Sequence, residues 1–308
     1  MKSILAIIIA LLIASPDAAY AAALGALRAN AVYGGLRFDA PSVPLPAGPA
    51  PARAAGPGLA EASSRFLGLP YVLGALGEGA AGEFDRDPLV SYTGLDCTTF
   101  VEQAMAFALG NSEPRALDIL RQVRYQNGLV SYETRNHFTE LDWLPNNIAA
   151  GFLRDITGDV AGPRLRTASK IISKRAWYRA RTEADLVGFA WEAPAARAAR
   201  LARLRALGEN IGDQQAYINY VPLADLPRLL ARIPDGTVVS VVREDRADKP
   251  TLVTHQLLIL DGPRGKLIRH AAQGRQVMDV DALDYVKGLE GAAWPVLGFN
   301  LAAVVPAR

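Results

Sequence analysis

The sequence predicts an α+β protein, and two observations support this: a helical pattern around residue 100 and a series of strand patterns after residue 235. The chain has 308 residues, of which 50% are apolar and 21% are charged. This is ordinary globular composition, long enough for one sizeable core or two modest ones, and it excludes a wholly disordered chain or a collagen-like fibre.

The charges and the rare side chains exclude several functions. There are 33 basic and 31 acidic residues, a formal net charge of +2, which lacks the broad positive field that binds nucleic acid non-specifically. One cysteine and three histidines rule out an intrachain disulfide and any zinc site with two thiolates. We therefore expect no nucleic-acid partner, no metal and no cofactor.

Residues 1–21 have the features of a signal peptide. Lys2 is followed by an uncharged run over residues 4–13 and by the cleavage pattern Ala19-Tyr20-Ala21. The run is shorter than the ~20 residues of a membrane-spanning helix. We expect a monomeric protein that is exported to the periplasm and is soluble there, without stable membrane insertion, after cleavage near Ala21.

The rest of the chain divides by composition. Residues 22–58 are predicted to be a linker rich in Pro, Gly and Ala, because positions 39–58 alone contain six prolines and three glycines. Residues 59–308 are predicted to form one folded domain. Within it, residues 111–234 are expected to be an insertion of helices and loops that forms a cleft wall.

The helical pattern places the single cysteine at a helix tip. Apolar residues recur at helical spacing up to Gly110, and either Asp96 or Thr99, the latter with Glu102 three residues later, can cap the start. Cys97 then lies in the first turn, where unpaired N–H groups and the helix dipole favour the nucleophilic thiolate. The same N–H groups could hold an oxyanion. The alternative is an inert, buried thiol.

Two histidines lie in consecutive predicted strands. The strand patterns cover residues 237–242, 252–260 and 267–271, which places His255 in the second strand and His270 in the third. A turn made of Gly262-Pro263, or of residues 261–264, sets the two histidines directly opposite each other on one face. One imidazole could then orient the other.

At this point the sequence resembles a known family. The motifs are Leu-Asp-Cys-Thr-Thr-Phe-Val-Glu at 95–102, Arg-Tyr-Gln-Asn-Gly at 124–128, Arg-Asn-His-Phe at 135–138, Asp-Trp at 142–143, a strand histidine, and Arg-His-Ala at 269–271. Together they are similar to the exported bacterial N-acetylmuramoyl-L-alanine amidase-like family, in the NlpC-type branch of papain-like cysteine peptidases. The resemblance runs from about Leu59 to the C-terminus.

The resemblance implies a fold and a chemistry. The fold is a papain-like α+β core, with the cysteine helix packed on an antiparallel sheet. The nucleophile falls on Cys97, the general base on His255 and the residue that orients the base on His270. The implied substrates are peptidoglycan or muropeptides, and the implied reaction cuts the N-acetylmuramoyl-L-alanine amide through a thioester.

Further residues are candidates for substrate binding. Tyr71 precedes the cysteine helix, as does Asp96, and Tyr71 is either a hydrogen-bond donor in the cleft or a core tyrosine. The segment after residue 135 offers polar groups and an aromatic face for a sugar or peptide, at Asn136, His137, Asp142 and Trp143. An equally open interpretation is a polar loop anchored by its tryptophan.

Three alternative functions remain open. The same catalytic groups could cut a stem-peptide bond, such as D-glutamyl-diaminopimelate. A zinc amidase could use His137, His255 and His270 with a carboxylate such as Glu140, which leaves Cys97 without a role. A wall-binding protein without activity could carry the cysteine as a buried thiol.

Overall fold

The computed structural model describes residues 58–305. The predicted signal peptide and all but the last residue of the predicted linker lie outside these residues. The division of the chain at residues 21 and 58 therefore stays a prediction.

One antiparallel sheet of eight strands forms the centre of the fold. Its order is β2-β3-β8-β4-β5-β6-β7, and β1 pairs with β8 off this path. The strands are β1 (Leu153–Asp155), β2 (Arg166–Ile172), β3 (Gln214–Pro222), β4 (Thr237–Arg243), β5 (Val253–Gly262), β6 (Gly265–Ala271), β7 (Val277–Asp281) and β8 (Val296–Val304). The predicted α+β class with an antiparallel sheet is confirmed.

Helices precede, interrupt and cover this sheet. They are α1 (Leu59–Ser64), α2 (Cys97–Leu109), α3 (Glu113–Arg124), α4 (Leu144–Ala149), α5 (Thr157–Ala161), α6 (Lys174–Arg179), α7 (Pro194–Ala206), α8 (Leu226–Leu229) and α9 (Ala282–Gly288). Between residues 58 and 305, none of them combines the length and the apolar character that a bilayer-crossing helix needs.

The segment 111–234 differs from its prediction. It was expected to contain only helices and loops, but β1, β2 and β3 lie within it and belong to the sheet. In β2 the alternation of exposed and buried residues is regular, yet one inward position is occupied by Lys170, whose ammonium group reaches Asp245 Oδ1 at 2.5 Å. A basic residue at an inward position hides the apolar alternation by which a strand is recognised.

The two faces of the sheet support separate apolar clusters. Leu258 of β5 packs on one face in the same cluster as Phe100 and Val101 of α2. Its neighbour Leu257 packs on the other face in a cluster that includes Val286 of α9. Each fully buried side chain of this size contributes roughly 1.5–3 kcal/mol to folding. This packing fixes α2 against the sheet and so determines where its first residue lies.

Candidate active site

Helix α2 begins at Cys97 because Asp96 caps it. Asp96 Oδ1 accepts the Thr99 N–H at 2.8 Å, and the Asp96 N–H donates to Thr99 Oγ1 at 2.9 Å. This reciprocal pair satisfies two donors at the helix start. Of the two predicted caps, Asp96 is the one used. Glu102 instead takes part in a buried ion pair with Arg124, at 2.6 Å.

The tip of α2 lies where two strands separate. The paired part of β5 and β6 runs from Gly262 opposite Gly265 to Leu258 opposite Arg269, and it stops there. Beyond that point the backbone N–H groups of Gln256 and Thr98 act on the Cys97 thiol and lower its pKa, against the larger opposing effect of burial. The sulfur therefore lies at β5 beside the residue that follows His255.

The two strand histidines are hydrogen-bonded to each other. His255 Nε2 lies 2.9 Å from His270 Nδ1, and the ring centroids are 5.1 Å apart with the planes at 81°. The ring of Tyr285, on α9, meets His270 edge-on at 5.2 Å. This bond occupies Nε2 of His255, and Nδ1 of His255 has no hydrogen-bond partner among the described residues.

The register of this hairpin differs from the predicted one. The turn is Pro263-Arg264, one residue later than the two-residue turn expected, because Gly262 pairs with Gly265. Continued by one residue, the observed register sets Leu257 opposite His270, so His255 lies diagonally across. The prediction of directly opposed histidines is wrong, although both side chains are on one face and diagonal neighbours remain within reach.

A cavity of about 610 Å³ opens beside the histidine pair. Its floor is formed by the ends of β4, β5 and β6, and its wall by α9 and the chain that follows. Besides the two histidines, its lining includes Arg243, Tyr285 and Trp294. The cavity is large enough for part of a peptide or a sugar.

Burial keeps the thiol and both imidazoles neutral. Desolvation, followed by the neighbouring Asp96 carboxylate, raises the pKa of Cys97 to about 11. Desolvation lowers the pKa of His255 to about 3, with a contribution from His270, whose own pKa is lowered to about 4. The helix tip was expected to favour the thiolate, but here burial and Asp96 outweigh it. At neutral pH the resting pair is a thiol and a neutral imidazole.

Tyr71 and Asp96 lie close to the first residue of α2. Tyr71 pairs with Leu95 in an isolated bridge, and burial, followed by Cys97 and Asp96, raises the pKa of Tyr71 to about 12. Its hydroxyl therefore keeps its proton as a donor. The Asp96 carboxylate also accepts the Gly74 N–H, at 3.1 Å, so both of its oxygens are used in holding the loop and the helix together.

Three of the other predicted binding residues have their partners inside the fold. Trp143 is 1% exposed, and its Nε1–H donates to Glu102 Oε1 at 3.1 Å. Asn136 Nδ2 donates to the Val123 carbonyl at 3.1 Å. Asp142 is buried and pairs with Lys174 at 2.5 Å. The indole face is closed to a sugar, which contradicts its predicted role and favours the alternative of a loop anchored by its tryptophan.

His137 lies in an aromatic cluster. Its Nε2 is 2.7 Å from the Tyr132 carbonyl, and its ring is 4.7 Å from that of Tyr132 and 4.5 Å from that of Trp177. Glu140, the carboxylate of the zinc alternative, accepts the Leu252 N–H at 2.6 Å. Within residues 58–305, no three His, Cys, Asp or Glu side chains are grouped so that they could hold a metal ion.

The structure adds residues that the sequence did not indicate. The backbone N–H of Gln256 lowers the pKa of the Cys97 thiol, Tyr285 contacts His270, and Arg243 lines the cavity. The sequence gives one signal for Gln256, which is that it directly follows His255. Tyr285 and Arg243 come from α9 and β4, and only the fold brings them to the histidines.

Comparison with known proteins identifies the class and then the family. Similar solved structures include a protein from Legionella pneumophila strain Philadelphia 1, with a TM-score of 0.76 and 29% identity over 80% of this chain and 88% of that one. Residues 61–292 match the family described as AmiA-like, N-acetylmuramoyl-L-alanine amidase-like. The chain belongs to this family. A search of curated proteins found no match.

More distant structures share the fold alone. An N-acetylmuramoyl-L-alanine amidase from Bacteroides uniformis has a TM-score of 0.61 and 21% identity, over 80% of this chain and 97% of that one. A Bacteroides fragilis protein with a provisional xylanase name has a TM-score of 0.59 and 20% identity, over 79% of this chain and 99% of that one. The two names describe different activities, so a shared fold does not assign the reaction.

Proposed function

We propose that this protein is a papain-like cysteine amidase of the NlpC type, which hydrolyses the N-acetylmuramoyl-L-alanine amide of peptidoglycan. The observation that carries the proposal is the arrangement at the helix tip. The backbone N–H of Gln256 lowers the pKa of the Cys97 thiol, and the preceding residue, His255, is bonded through Nε2 to His270 at 2.9 Å. Family membership supports the substrate class. Export to the periplasm is part of the proposal and rests on the sequence of residues 1–21.

The first step forms a thioester. His255 carries its proton on Nε2, donated to His270, so that Nδ1 has a free lone pair. Nδ1 removes the thiol proton as the Cys97 sulfur attacks the lactyl carbonyl carbon. The tetrahedral intermediate then breaks its C–N bond, and the imidazolium gives the proton to the departing nitrogen of L-alanine.

The second step regenerates the enzyme. Water attacks the thioester carbon while His255 takes one of the water's protons. The C–S bond breaks, the thiol regains a proton from the imidazolium, and the lactyl group leaves as a carboxylic acid. His270 stays hydrogen-bonded to His255 and keeps its ring and tautomer fixed.

Two donors are available for the oxyanion. The Cys97 N–H is at the first position of α2 and has no acceptor in the described part of the chain. The Tyr71 hydroxyl, whose proton is retained, is the second donor. Loss of one such donor typically costs about 3 kcal/mol of transition-state stabilisation.

Product identification tests this proposal. Purified muropeptides are incubated with the enzyme and analysed by mass spectrometry, with Cys97→Ala as the control after its thermal melt has been matched to the wild type. We expect a saccharide with a free lactyl carboxylate and a peptide that begins with L-alanine, and no product from the variant. Cleavage between D-glutamate and diaminopimelate, or full activity of Cys97→Ala, contradicts the proposal.

A further inference from the structure

We infer that Arg243 is a specificity residue that binds a carboxylate of the departing stem peptide. The inference rests on the proposed function and extends it to the cavity beside the histidines. Arg243 is the last residue of β4, and its side chain lines the same cavity as His255 and His270.

The guanidinium group of Arg243 is held in place by neutral oxygens. Its Nε donates to Thr254 Oγ1 at 2.7 Å, and its Nη1 donates to the Trp294 carbonyl. The guanidinium carbon also lies 5.4 Å from the centre of the Trp294 ring. These contacts orient the side chain without neutralising its charge.

Among the described residues, no acidic group compensates this charge. Within residues 58–305, Arg243 forms no ion pair, and its Nη2 has no hydrogen-bond acceptor. Partial burial lowers the pKa of Arg243, and Tyr285 opposes this effect. Arg269, on the neighbouring β6, differs: its Nε and Nη2 bind both oxygens of Asp279, at 2.7 and 2.8 Å.

An oriented, uncompensated guanidinium in a cavity is suited to a carboxylate. Arginine presents five N–H donors in a planar fork that matches a carboxylate. A second cation strengthens the preference for an anion: Arg275 contributes to the lowered pKa of His270, which lines the same cavity. The cavity therefore selects for negative charge.

The reaction indicates which part of the substrate enters this cavity. His255 returns its proton to the departing nitrogen, so the peptide on that nitrogen extends from the histidines. The cavity begins at the same two rings. A stem peptide carries carboxylates at its glutamyl residue and at its C-terminus, and the sugar lies on the other side of the broken bond.

Three muropeptides of equal length test this inference. One carries free carboxylates, one is amidated at the glutamyl α-carboxyl group, and one is amidated at the C-terminus. We expect one of the two amidations to lower kcat/KM of the wild type about 10- to 100-fold, the range for a lost charge-assisted hydrogen bond. Arg243→Gln should lower kcat/KM by the same factor on the free acid and by little on that amide. Arg243→Lys should recover part of the kcat/KM that is lost on the free acid.

Binding measurements separate this inference from the proposed function. The affinity of each muropeptide is measured by calorimetry on Cys97→Ala and on Cys97→Ala with Arg243→Gln, after their melting temperatures have been compared. The inference is supported if Cys97→Ala binds the free acid and the variant that also carries Arg243→Gln binds it more weakly. This result supports the inference even if the wild type cuts a different bond. Equal cleavage of all three muropeptides by the wild type, or equal loss on acid and amides in Arg243→Gln, overturns it.

Discussion

The three histidines occupy two different environments. Burial lowers the pKa of all three, so each is neutral at pH 7. His255 and His270 bond to each other and line a cavity, whereas His137 bonds to a backbone carbonyl and packs between the rings of Tyr132 and Trp177. A lowered pKa therefore reports burial. The accessible cavity and the neighbouring thiol distinguish the pair with a proposed catalytic role from the histidine that supports the fold.

The largest expected difference in activity is between a variant of His255 and a variant of His137. We expect His255→Ala to lower kcat/KM on muropeptides by at least about 1000-fold, because proton transfer and its coupling to the thiol are lost together. His137→Phe should retain activity within about threefold, since the ring can be replaced inside its aromatic cluster. Steady-state assays at one pH compare the two variants. Equal losses in both would remove the distinction between the two environments.

A smaller effect is expected at His270, together with a change in pH dependence. His270→Ala should lower kcat about 10- to 100-fold, the range for partners that orient a functional imidazole, and His270→Asn should recover part of it. Once it is protonated, below its own pKa of about 4, His270 opposes the protonation of His255 and so lowers the pKa of His255; both variants should therefore raise the pKa of His255. The acid limb of the kcat/KM profile then moves to higher pH than in the wild type. An unmoved limb would show that His270 has only a packing role.

The smallest effect concerns stability in acid. The pKa of His137 is lower in the folded state than in the unfolded state, where it is about 6.5. Between these two pKa values the unfolded chain binds more protons than the folded chain. Stability is lost as the pH falls, by roughly 1.4 kcal/mol per pH unit for one such group. At pH 7 the free energy of unfolding of His137→Phe should be lower than that of the wild type. The difference between the two proteins should be smaller at pH 5, because only the wild type loses the contribution of His137. Urea unfolding at both pH values measures this, and a constant difference contradicts it.

Local signals predicted the parts of the site that depend on neighbouring residues. The cap at Asp96 and the glycine at position 110 defined α2, and strand patterns defined β4, β5 and β6 within three residues at each end. The hairpin register was missed because Gly262 and Pro263 are both good turn residues. Pro263 in fact takes the first of the two turn positions, where its fixed φ is suited.

Contacts between distant residues were not predictable in the same way. Trp143 was assigned to substrate because a tryptophan beside polar residues resembles a sugar platform. Its burial depends on Glu102, 41 residues earlier in the chain, which accepts the indole N–H. Likewise, Arg243 has no sequence feature that separates it from other arginines, and its uncompensated charge is visible only when its neighbours are known.

The position of β8 has a consequence for how the chain reaches its native state. This strand is the last one in sequence, at Val296–Val304, yet it lies between β3 and β4 and also pairs with β1. A nascent chain that lacks these residues has a gap in the middle of its sheet, so the ladder cannot close until synthesis has passed residue 304. Deleting β8 should therefore abolish folding, whereas deletion of a strand at the edge of the sheet would remove only one partner.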